Sequence, residues 1–525
     1  MKVLVSDNLS MLGVDKLKEA EGIQVDVNVG LAKEELIKII SGYEGLIVRS
    51  ATKVTAEIIQ AAKNLKVIGR AGIGVDNIDL EAAGKQGIIV MNAPEGNLIT
   101  TAEHAVALML AMARNIPRAD ASLKGGQWSP KKFMGVELYG KTLGIIGLGR
   151  IGSVVAQRAK AFAMKILVYD PFISKEHAER VGVEVVELND LLARSDFTSL
   201  HAPATPFGPL LGKEAFAHMK PGMRIINCAR GTLIDHEALV EAIESKKVAQ
   251  AALDVYEKEP LPPESPLLNR EEIITTPHLG ASTGEAQDKV ALIISEQVID
   301  YLKHGEVRNA VNMPSIDAEL LSKIKPYLVL GEDMGKLIFQ LIDGAIHSVR
   351  MQYNGEVANL NVAPISIAVL KGLLSQTVDG VNMVNAPYIA KERGVEVQES
   401  KSNEIHDYTS AIQVEVTTEK GSRNLGGTLS AKQTPRIIKI DNYNFEAVFS
   451  KQMLVLTNND KPGVIGKVGN ILGENGVNIA GFQLGRLDEG GNAVAVINID
   501  TAPTKQVLQA LEKTENVLKV YPVTL

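Results

Sequence analysis

Cysteine is nearly missing from this sequence: 525 residues carry one, Cys228. A single thiol excludes an intrachain disulfide framework and fits a reducing compartment. A strong excess of one charge is missing too. Against 62 acidic residues stand 55 basic ones, a net charge of −7 with no long basic run. Neither nucleic acid nor a membrane surface is therefore indicated as a partner. A small anionic substrate needs only local positive charge, which a mildly acidic protein can supply. Long apolar runs are absent, since the longest helix-like one, Ala105 to Ala113, is too short to span a bilayer. Met1-Lys-Val-Leu-Val-Ser-Asp leads straight into an expected strand, without the charged start and apolar core of a leader, so a cytoplasmic location is expected. Aromatics make up 4% and hydrophobic residues 45%, the values of an ordinary globular chain. Repeats and low-complexity tracts are lacking. At this length one core does not suffice, and three or four domains are expected.

What is present begins with Leu143-Gly-Ile-Ile-Gly-Leu-Gly-Arg-Ile-Gly-Ser-Val-Val-Ala156. An apolar run reads as a buried strand, Gly147-x-Gly149-x-x-Gly152 as a turn, and the residues after it as a helix. Gly147 permits the tight turn, Gly149 lets backbone approach a pyrophosphate, and Gly152 lets helix and strand pack closely. Ile166 to Val168 form a second apolar run, which leads to Asp170, 18 residues after Gly152. An acid there accepts hydrogen bonds from both ribose hydroxyls and repels a 2′-phosphate, favouring NAD over NADP. A glycine triplet alone is also compatible with a plain βα turn; strand, helix and acid together point to a dinucleotide.

Around this unit the chain alternates short strands with helical patterns. Strands are expected at Val3-Leu-Val, Leu46-Ile-Val, Val67-Ile-Gly and Ile88-Ile-Val, and helices over Lys33 to Ile40 and Ala56 to Ala62. The fold class is α/β, with two doubly wound, Rossmann-like lobes flanking a cleft. Residues 1–98 with 285–314 form one lobe and 99–284 the coenzyme lobe. The helix Ala102 to Ala113 crosses between them, and the helix over 285–303 returns to the first. Residues 315–445, interspersed with glycine, carry no recognisable catalytic cluster. Residues 446–525 read as a small βαββαβ unit.

Three polar residues recur at strand ends of the coenzyme lobe: Arg230 in Asn227-Cys-Ala-Arg-Gly-Thr, Glu259 in Asp254-Val-Tyr-Glu-Lys-Glu-Pro, and His278 in Thr276-Pro-His-Leu-Gly-Ala-Ser282. Carboxyl ends of strands face the ligand crevice in such sheets, so distant segments converge there. The residue types suit oxidation of an alcohol beside a carboxylate. His278 takes the hydroxyl proton, Glu259 holds the imidazole and stabilises its charged form, and Arg230 binds the carboxylate bidentately. Each has a bland alternative: Arg230 and Glu259 as a surface pair, His278 as a helix cap. His104 and His201 read as structural or cleft-lining, and Cys228 as a small buried residue.

Arg70-Ala-Gly-Ile-Gly-Val-Asp-Asn77, Gly147-Leu-Gly-Arg-Ile-Gly152, Asn227-Cys-Ala-Arg-Gly231 and Pro277-His-Leu-Gly-Ala-Ser-Thr283 resemble the D-isomer-specific 2-hydroxyacid dehydrogenases, in their long form with two added C-terminal domains. The resemblance spans essentially the whole chain. It implies Arg230, Glu259 and His278 as catalytic residues. It also implies NAD contacts from Ile73, Arg150, Ile151, Asp170, Cys228, Ala229, Asp254 and the backbone of His278, Leu279, Gly280 and Ala281. Arg49, after a strand end, resembles the family's phosphate-binding arginine, though a solvated loop arginine also fits that position. Arg70 and Asn97 lie at comparable strand ends within reach of substrate. Lys131 and Lys132 suit either a neighbouring subunit's site or a solvated face. The implied activity is oxidation of 3-phospho-D-glycerate to 3-phosphooxypyruvate at the head of L-serine synthesis, with 2-oxoglutarate reduction as a side activity. The alternatives are a glyoxylate or hydroxypyruvate reductase and an NAD sensor that has lost catalysis.

The tail resembles an ACT domain, with Asp460 for a ligand ammonium, the amides after Pro462 for its carboxylate, and Asn478 across a dimer interface. L-serine is the implied effector; Asp460 also fits a plain helix N-cap. Residues 315–445 resemble the intervening domain of the long forms, to which regulatory anion binding is attributed. A homotetramer is implied, and no metal. Two departures stand out. Glu95 occupies a position where many relatives have Asn, placing negative charge near the expected phosphate site. The loop His201 to Pro209 carries three prolines where relatives are richer in Thr and Leu.

Overall fold

A computed structural model describes residues 1–205, 207–314, 318–404 and 407–525 of the chain. Its first lobe is built on five parallel strands in the order Gln24–Val27, Lys2–Val5, Gly45–Val48, Val67–Arg70 and Ile89–Asn92. Gly45–Val48 and Ile89–Asn92 are buried throughout, as strands covered on both faces must be, which is why they read as continuous apolar runs. The edge strand Gln24–Val27 and the helix Met11–Glu19 go beyond the sequence reading, because the half-exposed QVDV carries little apolar signal.

Leu98–Ala113 leaves this lobe, and Gly284–His304 returns to it. The returning helix joins the first lobe's core through Val290, Ala291, Ile294 and Val298. Two glycines let it lie close: a Cβ on Gly13 would come within 2.8 Å of Ala291, and one on Gly69 within 2.8 Å of Ile294. Thr283 opens this helix by accepting from the Ala286 amide, and Gly305, at φ 69°, closes it.

The second lobe is a seven-stranded parallel sheet. Its order is Ile273–Thr275, Val248–Leu253, Met223–Asn227, Phe197–Leu200, Thr142–Ile146, Lys165–Tyr169, Glu184–Val185. Chain order reverses between Thr142–Ile146 and Phe197–Leu200, the point at which doubly wound sheets open their ligand crevice.

Beyond Pro314, a six-stranded sheet from Ile346–Gly355 to Tyr443–Val448 is covered by the helices Ala318–Leu341 and Ala363–Leu374. The last unit is an antiparallel βαββαβ sheet in the order Ile479–Arg486, Asn492–Ile499, Gln452–Asn459, Val517–Thr524. Its central strand splits by the period of two. Leu454 and Leu456 face the unit's own helices, while Met453 and Val455 join the core of the preceding domain. Among the described residues, no helix is long and apolar enough to cross a membrane.

Candidate active site

The coenzyme turn is built by three glycines with three different duties. Gly147 adopts φ 93°, and a Cβ there would sit 2.8 Å from the His201 carbonyl oxygen. A Cβ on Gly152 would lie 2.1 Å from the Gly147 carbonyl oxygen, so helix and turn touch backbone to backbone. Beside Gly149 there is only open space. That glycine caps the helix Arg150–Ala161 without a side-chain hydrogen bond, leaving the first-turn amides and the positive end of the helix dipole for an anion. Asp170 stands over the turn, its carboxylate accepting from the Leu148 amide at 2.8 Å and the Phe172 amide at 2.9 Å. A cradle that a Cβ would fill, with a moored acid beside it, fits a dinucleotide.

At the neighbouring strand ends the chemistry gathers. After Met223–Asn227, the Asn227 side chain donates to the Arg230 carbonyl and accepts from the Ala229 amide, shaping the turn that carries Arg230. A Cβ on Gly231 would stand 1.9 Å from the Tyr256 carbonyl carbon, so only glycine lets this turn meet the segment that bears Glu259. Glu259 accepts from the Tyr256 amide at 3.0 Å and lies 2.7 Å from His278 Nδ1. A carboxylate only accepts here, so the shared proton belongs to Nδ1, and Nε2 is left as the basic nitrogen. The Glu259 hydrogen bond raises the pKa of His278 against partial burial and the charge of Arg230. Burial pushes Glu259 up, but the hydrogen bonds from His278 and the Tyr256 amide outweigh it and hold the carboxyl below its ordinary value. Imidazole, carboxylate and guanidinium thus share one electrostatic site. His278 itself sits at φ 55°, a conformation rare outside glycine, as strained backbone at functional positions often is.

Asp254 holds that conformation. It is 0% exposed, and its oxygens accept from the Thr276 hydroxyl and the Leu279 and Gly280 amides at 2.6, 2.7 and 2.8 Å. His104 Nε2 lies 3.2 Å away. Asp254, expected among the coenzyme contacts, thus also braces the loop that carries His278. His104, Cys228 and Asp254 bring ligand-type atoms within 4.8 Å of one another. Burial and the Asp254 charge push the Cys228 thiol well up. Cys228 is a small buried residue, and His201, bonded to Ser199 at 2.8 Å, is pulled down by burial to about 4 and stays neutral.

Across the cleft, Arg49 follows Gly45–Val48 at the reversal of strand order in the first sheet. Its amide donates to Asp7 at 2.6 Å and its Nη1 to the Asn8 carbonyl at 2.9 Å. Arg70 is lowered to about 10 by burial, and further by the charges of Arg230 and Arg49, so it sits within reach of both other guanidinium groups. Arg70 Nε and Asn97 Oδ1 are both buried with no protein partner. Orphaned groups of this kind call for a ligand or water. Glu95 does not oppose Arg49 or Arg70 at short range; it faces Arg150 at 3.8 Å across the cleft. Ile73 and Ile151 are half-buried, and Leu279 is exposed. Lys131 and Lys132 lie exposed on the short turn Pro130–Phe133. In the His201 to Pro209 loop, Pro206 lies outside the described residues, and Phe207 is almost fully exposed.

In the terminal unit, Asp460 is paired with Arg486 at 2.9 Å, which holds its carboxyl below the ordinary range. Asn478 donates to Asp500 at 2.7 Å. The alternative of Asp460 as an N-cap fails, because Gly463, at φ 92°, occupies the cap of Val464–Glu474. Sequence reasoning also missed Asp76, whose Oδ2 lies 3.0 Å from Arg230 Nε. The signal was in the text, as an acid closing the Arg70 to Asn77 block, but only the fold reveals its partner.

An imidazole moored by a carboxylate, beside a coenzyme turn and opposite a lobe that presents Arg49 and Arg70, is the equipment of an NAD-dependent dehydrogenase of 2-hydroxy acids. Comparison with known proteins agrees. Residues 106–280 match the NAD binding domain of the D-isomer specific 2-hydroxyacid dehydrogenases. Residues 323–441 match the D-3-phosphoglycerate dehydrogenase intervening domain and 453–516 the ACT domain. A D-3-phosphoglycerate dehydrogenase of Archaeoglobus fulgidus is 47% identical over 530 residues, covering 100% of both chains. Among solved structures, an NAD-dependent formate dehydrogenase from Staphylococcus aureus in complex with NAD aligns with 28% identity and a TM-score of 0.54, over 60% of this chain and 100% of that one. A glyoxylate reductase from Paecilomyes thermophila aligns with 30% identity and a TM-score of 0.55, over 59% and 98%. The chain belongs to the D-3-phosphoglycerate dehydrogenases, the D-isomer specific 2-hydroxyacid dehydrogenases that carry an intervening and an ACT domain.

Proposed function

We propose that the chain oxidises 3-phospho-D-glycerate at C2 to 3-phosphooxypyruvate, the opening step of the phosphorylated route to L-serine. The observation that carries this reading is the cluster of Arg49 and Arg70 beyond the catalytic trio, with a buried Arg70 Nε that lacks a protein partner. A 2-hydroxy acid needs one arginine for its carboxylate; a second and third suit a phosphate. Bound NAD supplies the acceptor for the hydride that leaves C2. His278 Nε2 takes the proton from the C2 hydroxyl, and Glu259 stabilises the imidazolium that results. Arg230 holds the carboxylate, Arg49 and Arg70 the phosphate, and Asn97 orients the chain of the substrate between them. Ile73, the Gly147–Gly152 turn with Arg150 and Ile151, Asp170, Cys228, Ala229 and the backbone from His278 to Ala281 line the coenzyme.

In this reading the working units are 1–98 with 285–314 for substrate, 99–284 for NAD, 315–445 between, and 446–525 for L-serine, held near Asp460 and Asn478. Release of Asp460 from Arg486 by the effector ammonium is part of that binding. The highly exposed Trp128, Met134 and Tyr139 on the segment after Leu98–Ala113 support a homo-oligomer, and the implied assembly is a tetramer. Reduction of 2-oxoglutarate is the corresponding side activity on an unphosphorylated 2-keto acid.

Steady-state kinetics of Arg49→Ala test the substrate assignment. Losing a charge-assisted pair worth about 1.5–3 kcal/mol raises KM for 3-phospho-D-glycerate roughly 10- to 100-fold. Turnover of glyoxylate or hydroxypyruvate stays unchanged. Equal losses on phosphorylated and unphosphorylated substrates would instead favour a reductase without a phosphate site.

A further inference from the structure

The block Arg70-Ala-Gly-Ile-Gly-Val-Asp76 has a second use beside the phosphate. Each of its two glycines is a place where an arginine crosses the backbone. A Cβ on Gly72 would fall 1.5 Å from Arg70 Nη1, and one on Gly74 would fall 2.2 Å from Arg230 Nη2. Arg230 belongs to the coenzyme lobe, while Gly74 and Asp76 belong to the substrate lobe, so this contact spans the cleft. Three anchors fix the guanidinium there. Asp76 Oδ2 forms an ion pair with the guanidinium, 3.0 Å from Nε, the Ala229 carbonyl accepts from Nη1 at 2.7 Å, and Gly74 forms the floor under Nη2. With the Asp76 carboxylate on the Nε side and one N–H of Nη1 bonded to Ala229, the end-on pair of N–H groups on Nη1 and Nη2 faces away from both and suits a planar carboxylate.

We infer that Asp76 is a positioning residue: from the substrate lobe it holds Arg230 end-on toward the substrate carboxylate. The inference rests on the assignment of Arg230 to that carboxylate. Its physical content is order before binding. An arginine without Asp76 has to be immobilised by the substrate itself, and that cost is subtracted from binding and from the alignment of C2 with His278. Because the anchor comes from the opposite lobe, the orientation is complete only when the two lobes stand as close as they do here.

Kinetics of the full-length enzyme test this with Asp76→Ala, Asp76→Asn, Gly74→Ala and Arg230→Ala. Asp76→Ala lowers kcat/KM for 3-phospho-D-glycerate about tenfold, with kcat falling as well as KM rising. Asp76→Asn, which keeps the shape but loses the charge of the ion pair, is as impaired as the alanine variant. Gly74→Ala reproduces the Asp76→Ala pattern, because its methyl displaces the same guanidinium. KM for NAD and the melting temperature stay at wild-type values, since Asp76 is two-thirds exposed and lies outside the Gly147–Gly152 turn. If Arg230→Ala abolishes turnover while Asp76→Ala matches wild type, the positioning role is overturned and the site assignment survives. If Asp76→Ala acts only by lowering the melting temperature, or Asp76→Asn matches wild type, positioning by this ion pair is likewise overturned. Normal turnover by Arg230→Ala would remove the assignment and the inference together.

Discussion

At the scale of single residues, the His278–Glu259 pair ties rate to pH with a definite sign. Glu259 stabilises the imidazolium, so the pKa of His278 lies above its ordinary value. Oxidation of a hydroxy acid needs the neutral ring and rises as pH climbs through that raised pKa; reduction needs the charged ring and falls over the same interval. Glu259→Gln removes the stabilisation, so the oxidation limb moves to lower pH and reduction loses activity near neutrality. The check is a pH profile of kcat/KM in both directions. An unmoved limb would mean that another group sets it. Most of these residues were legible in the sequence, because arginine, glutamate and histidine at strand ends after a coenzyme turn have few alternative uses. The loop-bracing role of Asp254 and the whole of Asp76 were passed over for one reason. An acid's partner is a property of the fold, and the partners here come from segments far away in sequence.

At the scale of elements, glycine marks where two backbones must touch. Gly231 is the sharpest case, with the Tyr256 carbonyl carbon 1.9 Å from the site of a Cβ. Gly231→Ala separates the Arg230 turn from the Glu259 segment by about an ångström, which is enough to cost roughly 100-fold in kcat. Coenzyme affinity changes little, because the Gly147–Gly152 turn is elsewhere; fluorescence titration with NADH measures it. Strands buried on both faces were readable from their apolar runs, as at Gly45–Val48. The helix now spanning Leu98–Ala113 was expected four residues shorter, its first turn lacking the apolar period. Edge strands such as Gln24–Val27 and the wholly exposed Glu396–Val397-Gln398-Glu399 stretch were invisible, since no burial writes a pattern into them. Ser410–Thr418 was different. Its Ile412, Val414 and Val416 alternate inward with perfect period two, a strand signal in a region whose chemistry is silent.

At the scale of the whole molecule, the ACT sheet is a shared element. Met453, Val455, Val494, Val496, Tyr521 and Val523 lie in one apolar cluster with the helices and sheet of the intervening domain. Arg423 reinforces it, donating to the Tyr521 hydroxyl at 2.6 Å. Both faces of the ACT sheet are thus covered, one by its own helices and the other by its neighbour. The unbroken apolar run Met453-Leu-Val-Leu suits a strand covered on both faces, but nothing in it names what covers each. Val455→Asp places an unpaired charge in that contact, at a cost of several kcal/mol. The expected result is a separate, earlier thermal transition for the C-terminal half, while NAD-dependent turnover persists; calorimetry alongside the activity assay shows it. The central claim reaches across all scales: residues from two lobes enclose one phosphorylated hydroxy acid at the nicotinamide end of NAD. A crystal structure of the full chain with NADH and 3-phosphooxypyruvate tests it most directly. The account requires the C2 oxygen within about 3 Å of His278 Nε2, the carboxylate on Arg230, and the phosphate on Arg49 and Arg70. A phosphate seated on Arg230, or a ligand out of reach of His278, would contradict it.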